Sequence, residues 1–153
     1  MDLEFVDTHF RTRKAVIANP DTCAGCRTCE VICSLHHEGA IDLEKARLRV
    51  DREPFEGLFQ PRVCHQCSHP FCMMACPVGA ISIRKPDGVL IVDKDACTGC
   101  GSCEEACPFG MIVVHSSPGI AVKCDLCGGE PQCVRWCPVS ALGVAEFGGG
   151  IPI

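Results

Sequence analysis

The chain has 153 residues and a net charge of −5 with no strongly basic segment, which argues against nucleic acid as a partner. Seven Phe, one Trp and no Tyr stand against 15 Gly and 11 Pro, so much of the chain is expected to be turns and loops rather than a conventional apolar core. No stretch approaches the roughly 18 apolar residues of a membrane span, which excludes direct membrane insertion.

In chain order, residues 1–15 contain no apolar run flanked by basic residues, hence no secretory signal, and a reducing, cytoplasmic setting is expected. Lys14 to Ala18 reads as a short strand. Cys23, Cys26, Cys29 and Cys33 follow at C-x2-C-x2-C-x3-C spacing, with Ser34 next. The segment from Ser34 to Val63 is rich in charge and reads as a linker with one strand, Leu48 to Val50. A second quartet, Cys64, Cys67, Cys72 and Cys76, has a longer gap before its third cysteine and ends in Pro77. Ile81 to Arg84 and Val89 to Val92 flank Pro86-Asp87-Gly88 and predict a hairpin. Asp93 to Gly101 forms the loop of the third quartet, Cys97, Cys100, Cys103 and Cys107, closed by Pro108. Ser102 to Cys107 is expected to be a helical turn and Met111 to Val114 a return strand. The last quartet, Cys124, Cys127, Cys133 and Cys137, ends in Pro138 and leads to a strand at Ala141 to Val144. The N-terminal extension and the tail Gly148-Gly149-Gly150-Ile151-Pro152-Ile153 have too little pattern to fold alone and are expected to be disordered.

All sixteen cysteines fall into these quartets. Two cysteines three apart on a turn can aim both sulfurs at one cluster, and a third three residues later completes a face. The third quartet reads C-x2-C-x2-C-x3-C-P, the run that holds iron–sulfur clusters in bacterial ferredoxins, where the fourth cysteine ligates the neighbouring cluster. Motifs therefore work in pairs, and four motifs predict four 4Fe-4S clusters. Gly25 and Gly99, each inside the first C-x2-C of its motif, are suited to a left-handed turn that aims amides at sulfur. His65-Gln66 and Asp125-Leu126 occupy the corresponding positions elsewhere.

A disulfide framework is the strongest competing reading, since cysteine above about 8–10% usually marks a secreted scaffold. The missing signal sequence speaks against it. Four-cysteine zinc sites normally separate two C-x2-C pairs by a longer span, and structural thiols would not recur at this period. Because thiolate ligation would hold together segments that cannot bury enough apolar surface, the apo chain is expected to be largely unfolded.

The sequence resembles the four-cluster ferredoxin-type electron-transfer subunits that accompany molybdopterin and tungstopterin oxidoreductases and some hydrogenases, including the iron–sulfur subunit of dimethyl sulfoxide reductase and the small subunit of aldehyde oxidoreductase. The resemblance is carried by CAGCRTCEVICSLHHEG (Cys23 to Gly39), VCHQCSHPFCMMACPVGAI (Val63 to Ile81), CTGCGSCEEACPFG (Cys97 to Gly110) and CDLCGGEPQCVRWCPVSAL (Cys124 to Leu142). It implies an α+β fold of two bacterial-ferredoxin-like modules, with short hairpins and helices wrapped around clusters. The inner module, 63–118, would be inserted into an outer one made of 1–62 and 119–153. It further implies one cluster on Cys23, Cys26, Cys29 and Cys137, a second on Cys124, Cys127, Cys133 and Cys33, a third on Cys64, Cys67, Cys72 and Cys107, and a fourth on Cys97, Cys100, Cys103 and Cys76. The departures are Ser34 in place of proline and the compact linker; neither removes a ligand.

His36, His37, His65 and His69 lie near cluster cysteines, but every quartet is complete, and hydrogen-bonding or solvent-facing roles are the default. Trp136 and Met73-Met74 read as packing residues, with shielding of clusters from water as the alternative. Asp125 is expected to do little if solvent screens it. What remains contains no nucleophile–base pair, phosphate-binding glycine loop, flavin motif or zinc-water site. The chain is therefore read as a non-catalytic wire, relaying single electrons to or from a large catalytic subunit, with a tungstopterin aldehyde oxidoreductase favoured over formate dehydrogenase and hydrogenase complexes. A flavoprotein or a second copy of the chain could meet the other end. A freely diffusing polyferredoxin and a cysteine-rich zinc scaffold are the alternatives.

Overall fold

The computed structural model describes residues 12–148; the expectations for the N-terminal extension and for the last five residues fall outside that range. Four two-stranded antiparallel ribbons and four short helices make up an α+β architecture, as expected. The strands are β1 (Thr12–Ala18), β2 (Arg49–Glu53), β3 (Leu58–Arg62), β4 (Ile81–Arg84), β5 (Val89–Val92), β6 (Ile112–Val114), β7 (Ala121–Lys123) and β8 (Leu142–Gly148). They pair β1 with β8, β2 with β3, β4 with β5 and β6 with β7. The helices are α1 (Thr28–Glu38), α2 (Phe71–Met74), α3 (Ser102–Ala106) and α4 (Gln132–Arg135). No helix among the described residues is long and apolar enough to cross a membrane.

The hairpin anticipated at β4 and β5 forms with Arg84 opposite Val89. Gly88 takes the left-handed conformation the turn needs, and Asp87 accepts from Arg84 Nη2 at 2.6 Å. The β1–β8 ribbon brings together segments far apart in sequence, with Val16 opposite Val144 and Ala18 opposite Leu142.

The segment after the first quartet departs from expectation. It is not a linker with a single strand: α1 runs on to Glu38, a 3-10 turn covers Leu43–Lys45, and β2 and β3 form a full hairpin. The helix continues because Ser34 leaves the backbone N–H in place where proline would remove it. It stops at Gly39, whose left-handed backbone lets its N–H reach the carbonyl of Leu35 at 3.0 Å. The hairpin is hidden in the sequence because Arg49, Asp51, Arg52 and Glu53 give little apolar alternation; only Val50 on β2 is buried.

A lone two-stranded ribbon is marginal in water, so stability has to come from what the ribbons cover. Val16, Leu48, Val50, Val63, Leu126 and Leu142 form one core cluster together with Cys29, Cys33 and Cys133. Ile81, Leu90, Ile112 and Ala121 form a second with Cys103, flanked by Cys72, Cys76, Cys97 and Cys107. Cysteine sulfur occupies the place of ordinary apolar side chains in both. Trp136 does not pack in either core: it is 54% exposed, with the Arg135 guanidinium over its ring, and Met74 is also exposed.

Candidate metal centres

Each cysteine motif is shaped by one backbone rule. The second residue inside the first C-x2-C takes a left-handed conformation in all four: Gly25 (φ 65°), Gln66 (φ 49°), Gly99 (φ 68°) and Leu126 (φ 57°). Glycine is needed where the chain is crowded, since a Cβ at Gly99 would lie 2.0 Å from the carbonyl oxygen of Gly119. Gln66 and Leu126 hold the same strained conformation with fully buried side chains, which the residue types alone do not announce. In the two motifs with longer gaps, Pro70 and Pro131 stand immediately before α2 and α4 and fix where the chain re-enters helix ahead of Cys72 and Cys133. Those prolines are a usable signal in the sequence.

All sixteen thiols are free. Cys76, Cys97, Cys100 and Cys103 line one small cavity. Cys64, Cys67, Cys72 and Cys107 line another. In each, three cysteines come from one motif and the last from its neighbour, with α2 packed on α3. In the part built from the two ends of the sequence, α1 packs on α4, and Cys23, Cys124 and Cys137 border the cluster that buries Cys29, Cys33 and Cys133. The electrostatic neighbours there are Cys26 and Cys23 for Cys29, and Cys124, Cys33, Cys127 and Cys29 for Cys133.

Burial pushes several of these thiols up, among them Cys33 and Cys72 to about 11 and Cys29 and Cys124 to about 12, with neighbouring thiols or, for Cys29, the Glu30 carboxylate adding to the rise. So many crowded, desolvated thiols are poorly placed as bare acids, and a cation is what would hold them ionised. Backbone N–H groups are already aimed at sulfur: Ala80 at Cys76 (3.2 Å), Met111 at Cys107 (3.5 Å), Ala141 at Cys137 (3.3 Å), Arg47 at Cys33 (3.2 Å) and Ala121 at Cys97 (3.4 Å). A soft, all-thiolate donor set with amides directed at its sulfurs fits iron–sulfur clusters. Cys26 and Cys100 are the exposed pair, each 3.4 Å from a hydroxyl, of Thr28 and Ser102, that lowers the thiol below its ordinary value.

His36 and His37 stand beside the Cys127 thiol, with ligand atoms of all three within 4.8 Å of one another. His65 stacks on Phe109 at 3.9 Å between ring centroids. His37 lies 2.6 Å from Arg47 Nη1 and 3.6 Å from Cys127 Sγ, and burial followed by the Arg47 guanidinium holds it well below its ordinary value. Asp125 is not merely a screened carboxylate: it accepts from the Cys127 N–H at 2.9 Å, closing the cysteine turn, and lies 3.8 Å from Arg47.

Residues 55–147 match the model of the 4Fe-4S dicluster domain, and residues 20–35 a 4Fe-4S binding domain. The chain belongs to the 4Fe-4S dicluster family. Its relatives include the aliphatic sulfonate oxidoreductase polyferredoxin-like subunit of Pyrococcus furiosus, 44% identical over 80% of this chain and 70% of that one. The putative electron transport protein YsaA of Escherichia coli is 41% identical over 83% and 86%. A component of the anaerobic dimethyl sulfoxide reductase of Shigella flexneri is 32% identical over 90% and 74%. Among solved structures, a polypeptide of the BamBC active-site complex of benzoyl coenzyme A reductase superposes with a TM-score of 0.53 at 32% identity, covering 89% of this chain and 81% of that one. The names of these relatives include a polyferredoxin-like subunit and an electron transport protein, and the two matched stretches together span all sixteen cysteines.

Proposed function

We propose that the chain is the electron-transfer subunit of a larger oxidoreductase and holds four 4Fe-4S clusters. In this reading Cys23, Cys26, Cys29 and Cys137 hold one, and Cys124, Cys127, Cys133 and Cys33 the next. Cys64, Cys67, Cys72 and Cys107 hold a third, and Cys97, Cys100, Cys103 and Cys76 the last. The observation that carries it is the pair of cavities in which three cysteines of one motif meet the fourth of another. When bound, the clusters supply one-electron carriage. The polypeptide's part is to present thiolates, direct amides at them and exclude water.

In this reading the two middle sets contain no exposed cysteine and each end set contains one. The bond from Gln66, in the turn of Cys64 and Cys67, to the Cys124 carbonyl supports reading their sets as adjacent, whereas the exposed Cys26 and Cys100 belong to the two remaining sets. One electron entering beside Cys26 or Cys100 would leave beside the other, with no bond made or broken in the chain. Two modules are part of the proposal: an outer one from the two ends, supported by the β1–β8 ribbon, and an inner one from the middle. We take the inner module as 63–118; β7, just beyond it, pairs with β6.

We take the partner to be a catalytic subunit carrying tungstopterin or molybdopterin, a choice resting on the resemblance of the four motifs. Free thiols in such number suit a reducing compartment such as the cytoplasm. Anaerobic purification of the tagged chain from its native host at high salt tests the reading. A large subunit should remain bound, and its substrate should bleach the visible absorbance of the complex. Recovery of the chain alone would make it a diffusing carrier instead.

A further inference from the structure

Lys123, at the end of β7, is 3% exposed, the most deeply buried cation among the described residues. Its Nζ donates to the carbonyl oxygens of Leu90 at 2.7 Å and Cys124 at 2.9 Å, and lies 3.5 Å from Oε1 of Gln66. Gln66 completes the junction: its Nε2 donates to the Cys124 carbonyl at 2.9 Å and its Oε1 accepts from the Leu90 N–H at 2.9 Å. One ammonium and one amide thus tie the cysteine turn of the second motif, β5 and the start of the fourth motif.

Carbonyls satisfy the donors of a buried ammonium but do not neutralise its charge, and an uncompensated buried ion is strongly unfavourable. No carboxylate lies within ion-pair distance of Lys123 among the described residues. Lys123 instead lines the cavity of Cys64, Cys67, Cys72 and Cys107, and its ammonium is bonded to the backbone carbonyl of Cys124, which belongs to the set of Cys124, Cys127, Cys133 and Cys33. The other two buried cations each face one set: the Arg13 guanidinium donates to the Cys67 carbonyl, and Arg47 lies beside Cys33.

We propose that Lys123 is a positioning residue whose ammonium is the shared counter-charge of the two central iron–sulfur sites, holding them at a fixed junction and making both easier to reduce. The inference rests on the ligand assignment above. Each reduction adds one negative charge to a partly buried site, where a fixed cation is worth more than at the surface. Losing it should weaken reduction of both central sites and leave the outer two alone.

The test is an anaerobic redox titration of the full-length loaded protein followed by electron paramagnetic resonance, with iron and sulfide measured on the same samples. In Lys123→Met two of the four midpoint potentials should fall, each by about tenfold in the reduction equilibrium, or ~59 mV for one electron. Lys123→Arg should stay near the wild type, and Arg47→Met should move only one. Full cluster content with all four potentials unchanged, or all four shifted alike, would overturn the proposal. If Lys123→Met does not load, Gln66→Glu decides, because it sets a carboxylate against the ammonium without opening a cavity: the same two potentials should fall, and unchanged values contradict the idea. A wild-type protein without iron would instead defeat the ligand assignment.

Discussion

The first cysteine motif and the other three reach the same end by different backbone routes. In the second, third and fourth, proline follows the last cysteine, the helix is four or five residues long, and the amide four residues on turns back to that cysteine's sulfur, as Ala80 does to Cys76. Proline cannot extend a helix and biases the residue before it toward extended backbone, as Cys107 shows at ψ 113°. In the first motif Ser34 replaces proline and α1 continues for eleven residues. The sulfur of Cys33 then takes its amide from Arg47, fourteen positions along, after the chain has passed through the 3-10 turn. Ser34 anchors that detour: its hydroxyl donates to the Val31 carbonyl at 3.0 Å and accepts from the Asp42 N–H at 3.2 Å. An amide directed at sulfur is common to all four motifs, and the supplier can be local or distant.

The largest effect expected from this contrast is at the ligands themselves. Cys33→Ala and Cys76→Ala should each lower iron content by one cluster's share, and chelating all the iron should unfold both parts of the chain, read as loss of far-ultraviolet circular dichroism. A chain that kept its helical and strand signal without iron would show that the apolar clusters suffice alone.

Next is Ser34→Pro, which restores the pattern of the other motifs in sequence but breaks a helix in structure. It should cost about 3 kcal/mol in denaturant unfolding of the loaded protein. A neutral or stabilising outcome would mean that the long α1 is incidental.

Glycines sharpen the comparison further. An added Cβ at Gly25 would press on the ring of Phe59, a side chain rather than backbone, whereas at Gly99 it would strike the Gly119 carbonyl. Both substitutions impose a left-handed cost of about 1–2 kcal/mol, so Gly99→Ala should lower the melting temperature well beyond Gly25→Ala. The smallest effect is Ser34→Ala, about 1 kcal/mol for the lost hydroxyl contacts, with the melting temperature as readout.

Much of this is legible in the sequence because cysteine spacing and proline are strong local signals. β4, β5 and α3 fall where β-rich runs, a Pro-Asp-Gly turn and a Cys-Pro stop place them. The β2–β3 hairpin is not legible, since its charged residues carry no period and its partner strand contains Pro61. Nor are the strained turns at Gln66 and Leu126, or the inward course of Lys123, because a side chain's burial there depends on segments distant in sequence. Trp136 misleads for the same reason: a large apolar residue beside a cysteine implies packing, but the helix end turns it outward.

The most direct measurement is iron, acid-labile sulfide and zinc on anaerobically isolated protein. Iron and sulfide each equal in number to the sixteen cysteines, in a brown protein that dithionite bleaches, is the predicted result. Stoichiometric zinc with negligible iron and sulfide would contradict it.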